Sequence, residues 1–205
     1  MTPGQQRALD TLFARFGVAD DDSPIDPVAL FGRRAPLVLE IGFGMGETTA
    51  AMAAADPATD VLAIDVHTPG VGALLAELDR RALTNVRVAT GDAVPFLAHR
   101  VADGSLAGIR VYFPDPWPKP RHHKRRLVDA DFVALSAGKL TSGGVLHCAT
   151  DWTPYAEQML AVITADDHFT TEGLAARPDF RPLTRFERQG LAKGHEVYDV
   201  IARRR

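Results

Sequence analysis

Short apolar runs alternate along this chain with segments whose hydrophobic residues recur at helical spacing. PLVLEIGFG, VLAIDV, NVRVATGD, GIRVYF and GGVLHCAT are too short for helices, and they read as core strands. Between them, ETTAAMAAA over residues 47–55 is made of good helix formers. Val71, Leu74, Leu75 and Leu78 mark a second helix, and Val94, Leu97 and Val101 a third. Ahead of the first run, Leu9, Leu12, Phe13 and Phe16 follow Pro3 at helical spacing, which predicts an amphipathic helix over residues 3–16 ending at Gly17. Later, residues 128–139 and the stripe Tyr155, Met159, Val162, Ile163 mark two more helices. HFTTEG and HEVYDVIARR are rich in β-branched and aromatic residues and read as two last strands, a hairpin-like pair at a sheet edge. The alternation predicts an α/β fold: a doubly wound, mostly parallel sheet of about seven strands, with an N-terminal helix and an antiparallel edge strand.

Two segments fall outside this pattern. DDDSPIDP, opening with the acidic turn Asp20, Asp21, Asp22, reads as a loop. RPDFRPLTRFERQGLAKG is polar, interrupted by prolines and too long for a simple connection, and excursions of that length more often serve a function than fill space.

With 205 residues and 46% hydrophobic content, the chain suits one domain over residues 1–205, an N-terminal helix and loop to residue 35 preceding a core from residue 36. No apolar run reaches the roughly 18 residues of a membrane span, and MTPGQQRALD lacks the regions of a secretory signal, so a cytoplasmic protein with no membrane partner is expected. The single cysteine, Cys148, lies in a strand run and is expected as a small buried hydrophobe, leaving disulfides and cysteine zinc sites out of reach. Composition does not decide between monomer and homodimer.

The candidate chemistry sits at strand ends. In EIGFGMG, Glu40 is followed by Gly42, Gly44 and Gly46, where a strand must turn sharply into a helix and let a ligand approach the backbone. The spacing misses the dinucleotide fingerprint, because the third glycine comes one residue early and Glu47 takes its place, so an anion stands where a pyrophosphate needs positive potential. A cofactor with a cationic centre and an adenosine but no phosphate suits these acids better, and S-adenosylmethionine is such a cofactor. Asp65 ends the second strand, where a carboxylate can accept from both ribose hydroxyls, and Asp92 follows the third, where it can receive the adenine amino group. Any one of these acids alone would pass as a helix cap or a solvated loop residue. Their recurrence at successive strand ends argues for methyl-donor binding.

The fourth strand runs into IRVYFPDPWPKPRHHKRR. Net charge over the whole chain is -3, yet Lys119, Arg121, Lys124, Arg125 and Arg126 cluster directly after Asp115. The cluster suggests phosphate binding, with Arg121, Lys124, Arg125 and Arg126 as the RNA-facing cations. Trp117 suits base stacking and simple packing equally. His122 and His123 lack the carboxylate or cysteine neighbours of a metal site, so no metal is expected. Two other readings share some of these features: a nicotinamide-dependent oxidoreductase using the glycine turn, and a non-catalytic RNA-binding module.

EIGFGMG, AIDVHTPGVG, FPDPWPKPRHHKRR, ATDWTPYAEQM and TRFERQGLAKGH, in this order, resemble the bacterial tRNA (guanine-N7)-methyltransferase family. The resemblance covers nearly the whole chain, and the proline-flanked acid with its basic continuation is its most specific part. It implies a Rossmann-like class I methyltransferase that uses S-adenosylmethionine, releases S-adenosylhomocysteine and methylates guanosine 46 in the tRNA variable loop. Position by position, it implies cofactor contacts at Glu40, Asp65, Asp92 and Asp115, with Asp115 also the catalytic residue. Lys119, Asp151, Thr184, Arg185, Phe186 and Glu187 match the substrate-contacting positions. The family often has glutamate where Asp65 stands, histidine where Pro118 stands and lysine where Arg185 stands. Asp151, Glu187 and Asp115 are all able to read the N1 and N2 protons of guanine; the favoured assignment puts Asp115 at the methyl-transfer centre and Asp151 with Glu187 on the guanine edge.

Overall fold

A computed structural model describes residues 1–21 and 23–205; Asp22 of the acidic turn lies outside the described residues. Two compact units divide the chain, Met1–Ala102 and Asp103–Arg205.

The first unit opens with α1 (Pro3–Phe16), and its start is written in the sequence. Thr2 accepts from the Gln5 N–H while the Gln5 side chain takes the Thr2 N–H at 2.7 Å, a reciprocal cap with Pro3 in the first turn. A short helix that the hydrophobic pattern did not predict follows, α2 (Pro27–Phe31), capped by Asp26 and ended by a left-handed Gly32. Then come β1 (Leu37–Ile41), α3 (Glu47–Ala55), β2 (Asp60–Asp65), α4 (Thr68–Arg80), β3 (Val86–Thr90) and α5 (Ala93–Arg100). β1 pairs with β2 and β2 with β3, all parallel, in a register that sets Ile41 beside Ile64 and Asp65 beside Thr90. The carboxyl ends of the three strands therefore reach one edge. Ala8 and Phe16 of α1 share a core with Val71, Leu74, Leu75 and Leu78 of α4, so the N-terminal helix caps the unit by packing.

The second unit holds β4 (Leu106–Tyr112), a 3₁₀ turn (Pro120–Arg125), α6 (Ala130–Lys139), β5 (Leu140–Thr150), α7 (Thr153–Thr164), β6 (Phe169–Ala175), α8 (Arg185–Ala192) and β7 (Tyr198–Arg204). β4 and β5 are parallel, whereas β7 runs antiparallel to both β5 and β6. Among the described residues the strands form one seven-stranded sheet in the order β3-β2-β1-β4-β5-β7-β6. The expected antiparallel pair is present at the edge, with β7 inserted between β5 and the outermost β6. The polar excursion between these strands contains α8, a helix that hydrophobic periodicity did not predict. Cys148 is fully buried on β5. Among the described residues, no helix is long and apolar enough to cross a membrane.

Glycines let α4 approach the turn after β1. A Cβ on Gly70 would lie 1.9 Å from the Gly44 carbonyl oxygen, and the obstacle is rigid backbone. Gly138, in the last turn of α6, has nothing within 4 Å of such a Cβ. Gly70→Ala is expected to destabilise the protein by at least about 2 kcal/mol through overpacking. Gly138→Ala is expected to stabilise it by about 0.4–1 kcal/mol through loss of unfolded-state freedom. Urea unfolding of the two variants beside the parent measures both shifts.

Candidate functional site

In the first unit, the turn after β1 alternates left-handed glycines: Gly42, Gly44 and Gly46 have φ of 73°, 59° and 76°. A Cβ on Gly46 would strike Leu74 at 2.6 Å, while one on Gly42 would meet nothing within 4 Å. The inner glycine thus serves packing, and the outer one leaves an open backbone face. Asp65 ties this turn to the end of β2, its Oδ2 accepting from Gly44 N–H at 2.8 Å and its Oδ1 from His67 N–H at 2.9 Å. Each oxygen keeps lone-pair capacity for a further donor such as a hydroxyl. Glu40 is buried at the end of β1, where the Thr49 hydroxyl donates to its Oε1 at 2.7 Å. Asp92 caps α5 by accepting the Val94 N–H at 2.9 Å, so a cap and an exposed carboxylate coincide in one residue.

No lysine or arginine occurs in residues 40–47, 65–67 or 91–93, the three strand-end segments. This donor set, carboxylates around an open glycine face, fits a cationic, phosphate-free adenosine cofactor such as S-adenosylmethionine.

In the second unit, the register of β4 on β5 sets Tyr112 beside Ala149, so the segments carrying Asp115 and Asp151 leave the sheet at the same edge. The chain there reads Phe-Pro-Asp-Pro-Trp-Pro-Lys-Pro, in which every second residue precedes a proline and is barred from the right-handed helical region. Phe113 and Trp117 take φ of 53° and 43°, a strained conformation for bulky residues that costs on the order of 1–3 kcal/mol apiece. Surrounding contacts hold it. Phe113 N–H donates to the Ala149 carbonyl at 2.7 Å, and the Arg125 guanidinium lies 4.9 Å from the Trp117 ring centroid. His122 meets the same ring edge-on. Asp115 stands exposed between the two strained residues. Trp117 is half-buried and built into the loop it belongs to.

The basic run divides in two. Lys119, Arg121, Lys124 and Arg125 are exposed. Arg126, expected among the RNA-facing cations, is only 4% exposed and turns inward. Its Nε donates to the Pro116 carbonyl at 2.8 Å, its Nη1 to Gln158 Oε1 at 2.5 Å, and its guanidinium lies 4.8 Å from the Tyr155 ring centroid. The correction has a plain cause: an arginine inside a strained loop supplies the donors that free carbonyls require. Arg126 fixes the loop that the other cations decorate.

The remaining positions gather near the start of β7. Asp151 is partly buried, and its Oδ2 lies 3.1 Å from His195 Nδ1. Gly190 allows that approach, since a Cβ there would sit 2.7 Å from the same oxygen. Thr184 caps α8 by accepting the Glu187 N–H at 3.0 Å. Arg185 and Phe186 are exposed, Phe186 to 59%, while Glu187 is buried with Oε2 on Arg181 at 2.6 Å and Oε1 on Arg177 at 3.1 Å. The motif TRFE therefore has a helix-capping role of its own, Thr-x-x-Glu, which was present in the sequence as a helix-start signal.

Beneath these residues lies a buried polar group that the hydrophobic pattern did not reveal. Tyr112 O–H meets His147 Nδ1 at 3.0 Å, His147 Nε2 meets Asp199 Oδ1 at 2.6 Å, and Arg181 closes on Asp199. Burial lowers the His147 pKa and outweighs the attraction of Asp199, with Arg181 and Arg110 adding to the lowering. A neutral ring with its proton on Nε2 then donates to Asp199 and accepts from Tyr112. Burial works to raise the Asp199 pKa, but hydrogen bonds from His147 and Arg181 prevail and leave it below the ordinary carboxylate value. A charged residue inside the apolar alternation YDVIA was the available signal.

A protein-family model described as "Putative methyltransferase" matches residues 34–200. The tRNA (guanine-N(7)-)-methyltransferase of Streptomyces coelicolor is 58% identical over 209 residues, covering 100% of this chain and 77% of that one. The protein of the same name from Paracidovorax citrulli is 52% identical, covering 99% and 82%. Among solved structures, the 16S rRNA methyltransferase KamB superposes with a TM-score of 0.64 at 14% identity over 92% of this chain and 98% of that one. TrmN from Thermus thermophilus gives 0.57 at 16% identity over 87% and 47%.

The buried groups make two expectations. Because the folded protein holds His147 below its ordinary value of 6.5, the unfolded chain binds more protons as pH drops through that value. Stability from this residue is complete above pH 6.5 and is lost on acidification through the lower folded pKa; NMR of the imidazole nitrogens should find His147 neutral and Nε2-protonated at pH 7. Burial pushes the Cys148 thiol up to about 12, so an aromatic disulfide reagent should leave it unmodified in the native protein and titrate one thiol in denaturant.

Proposed function

The chain belongs to the tRNA (guanine-N7)-methyltransferase family, and on that premise we propose that it transfers the methyl group of S-adenosylmethionine to N7 of guanosine 46 in the tRNA variable loop by direct in-line attack. The observation that carries this reading is the pairing of two features in one chain. The strand ends of the first unit carry carboxylates without cations around an open glycine face. In the second unit, a strained corner presents Asp115 ahead of exposed basic residues.

In this reading Glu40, Asp65 and Asp92 hold the cofactor with the backbone of Gly42, Gly44 and Gly46, and Asp65 accepts the ribose hydroxyls. S-adenosylmethionine, when bound, supplies a methyl group made electrophilic by its sulfonium. Guanine N7 carries an in-plane lone pair and no proton, so the chain needs no general base there. Its work is positioning, together with a negative field where positive charge moves onto the purine. Asp115 supplies that field at the reacting centre and contacts the cofactor. Asp151 and Glu187 accept from the N1 and N2 protons of guanine, a donor pattern adenine lacks. Lys119, Thr184, Arg185 and Phe186 complete the substrate contacts. Arg121, Lys124 and Arg125 neutralise tRNA phosphates.

Methylation mapping tests the reading as a whole. Purified protein with labelled S-adenosylmethionine and unmodified tRNA should leave an N7-methylguanine at position 46, cleavable by borohydride and aniline. Label confined to exocyclic amines would sink the assignment. Asp115→Ala is expected to abolish transfer while largely preserving tRNA affinity. Replacing Arg121, Lys124 and Arg125 by glutamine should weaken binding and reduce the logarithmic salt slope by about 0.7–0.9 for each phosphate that is no longer neutralised. Arg126→Gln should instead cost stability, about 1.5–3 kcal/mol from hydrogen bonds to a charged group, read by thermal unfolding.

A further inference from the structure

A buried side chain ties the excursion between β6 and β7 to β7 itself. Arg181 is fully buried, at 0% exposure. Its Nε and Nη2 donate to the two oxygens of Asp199 at 2.7 Å each, a bidentate grip on β7. Its Nη1 donates to Glu187 Oε2 at 2.6 Å, in the first turn of α8. Its guanidinium carbon lies 5.5 Å from the ring centroids of both Tyr112 and Phe113, the two residues that lead into Pro114 and Asp115. Arg181 thus touches the left-handed hinge of the Asp115 corner and the acid of the TRFE segment at once.

We propose that Arg181 is a positioning residue for methyl transfer, fixing the direction of the Glu187 carboxylate. The inference rests on the reading of Glu187 as a substrate-facing group. A carboxylate on a rotatable side chain keeps one direction only while one of its oxygens is held, and a guanine edge needs the other oxygen aimed at its N–H donors. Arg181 holds Oε2 from the buried side. The other oxygen, Oε1, meets Arg177, whose side chain is 36% exposed. The two ion pairs therefore differ in kind: Arg181 locks Oε2, whereas the exposed Arg177 is the partner that a guanine edge can displace from Oε1. Apolar packing would stabilise this region as well as ion pairs do, but it would give the carboxylate no fixed direction.

The test is a double-mutant cycle with R181K and E187Q in the full-length protein. S-adenosylhomocysteine binding is followed by calorimetry, and kcat and KM for unmodified tRNA are measured at saturating cofactor. For R181K, S-adenosylhomocysteine affinity should stay within about twofold, because Glu187 is not among the cofactor contacts. Its kcat/KM should fall about tenfold or more, with kcat carrying most of the loss. Added to E187Q, R181K should cause little further loss, since it acts through that acid. Losses that multiply, or full turnover by folded R181K, would overturn the proposal. If R181K fails to fold, D199N, which weakens the grip on Arg181 while keeping the shape, is measured instead; a folded D199N with parental kcat/KM would overturn it equally. Absence of N7 methylation by the parent protein would refute the function itself and is seen separately, in the unmutated arm.

Discussion

A strand buried on both faces has room for polar chemistry mainly where it ends, and parallel pairing brings successive ends to one edge. That constraint arranges both units. In the first, the registers of β1, β2 and β3 deliver Glu40, Asp65 and Asp92 to a common edge. In the second, β4 and β5 deliver Asp115 and Asp151, and the antiparallel β7 begins where they finish. Backbone turns at these ends then decide what each carboxylate faces.

The two units solve the turning problem in opposite ways. The turn after β1 uses glycines, which reach left-handed φ without steric cost and leave an open face at Gly42. The turn after β4 uses prolines and bulky residues, forcing Phe113 and Trp117 into the same region at a cost that neighbouring contacts offset. Arg126 and Arg125 brace it from the basic side, and Arg181 lies against Phe113 on the other. A glycine turn suits a cofactor cradle, where backbone must approach ligand. A stiff corner suits a carboxylate whose direction has to be held.

The buried acids Asp199 and Glu187 of the second unit are both paired. Asp199 pairs with Arg181, Glu187 pairs with Arg181 from within and with the exposed Arg177 from the surface, and His147 is neutral. Removing Arg181 would leave both acids short of a partner, which is why these residues act as a set. The set also explains how a segment poor in apolar residues is held in place. α8 is anchored by the Glu187 ion pairs and the Thr184 cap, while Phe186 and Leu191 stay exposed.

Hydrophobic spacing determined the strand and helix sequence, because burying apolar faces is a periodic demand that each segment meets locally. The strand-end acids and the family resemblance were legible for the same reason: they sit beside the runs that place them. α2 and α8 escaped the pattern because their stability comes from caps, Asp26 and Thr184, and both signals are short. The sequence also offered Arg126 as one more cation in a run of five. Only the tertiary structure separated it from its neighbours, since burial depends on Pro116, Gln158 and Tyr155 converging from elsewhere in the chain. The same holds for the pairing of Tyr112, His147, Arg181 and Asp199, whose members lie on separate strands and loops. Local propensity records what a residue prefers; which side chains meet across a core is settled by packing, and there the sequence alone is silent.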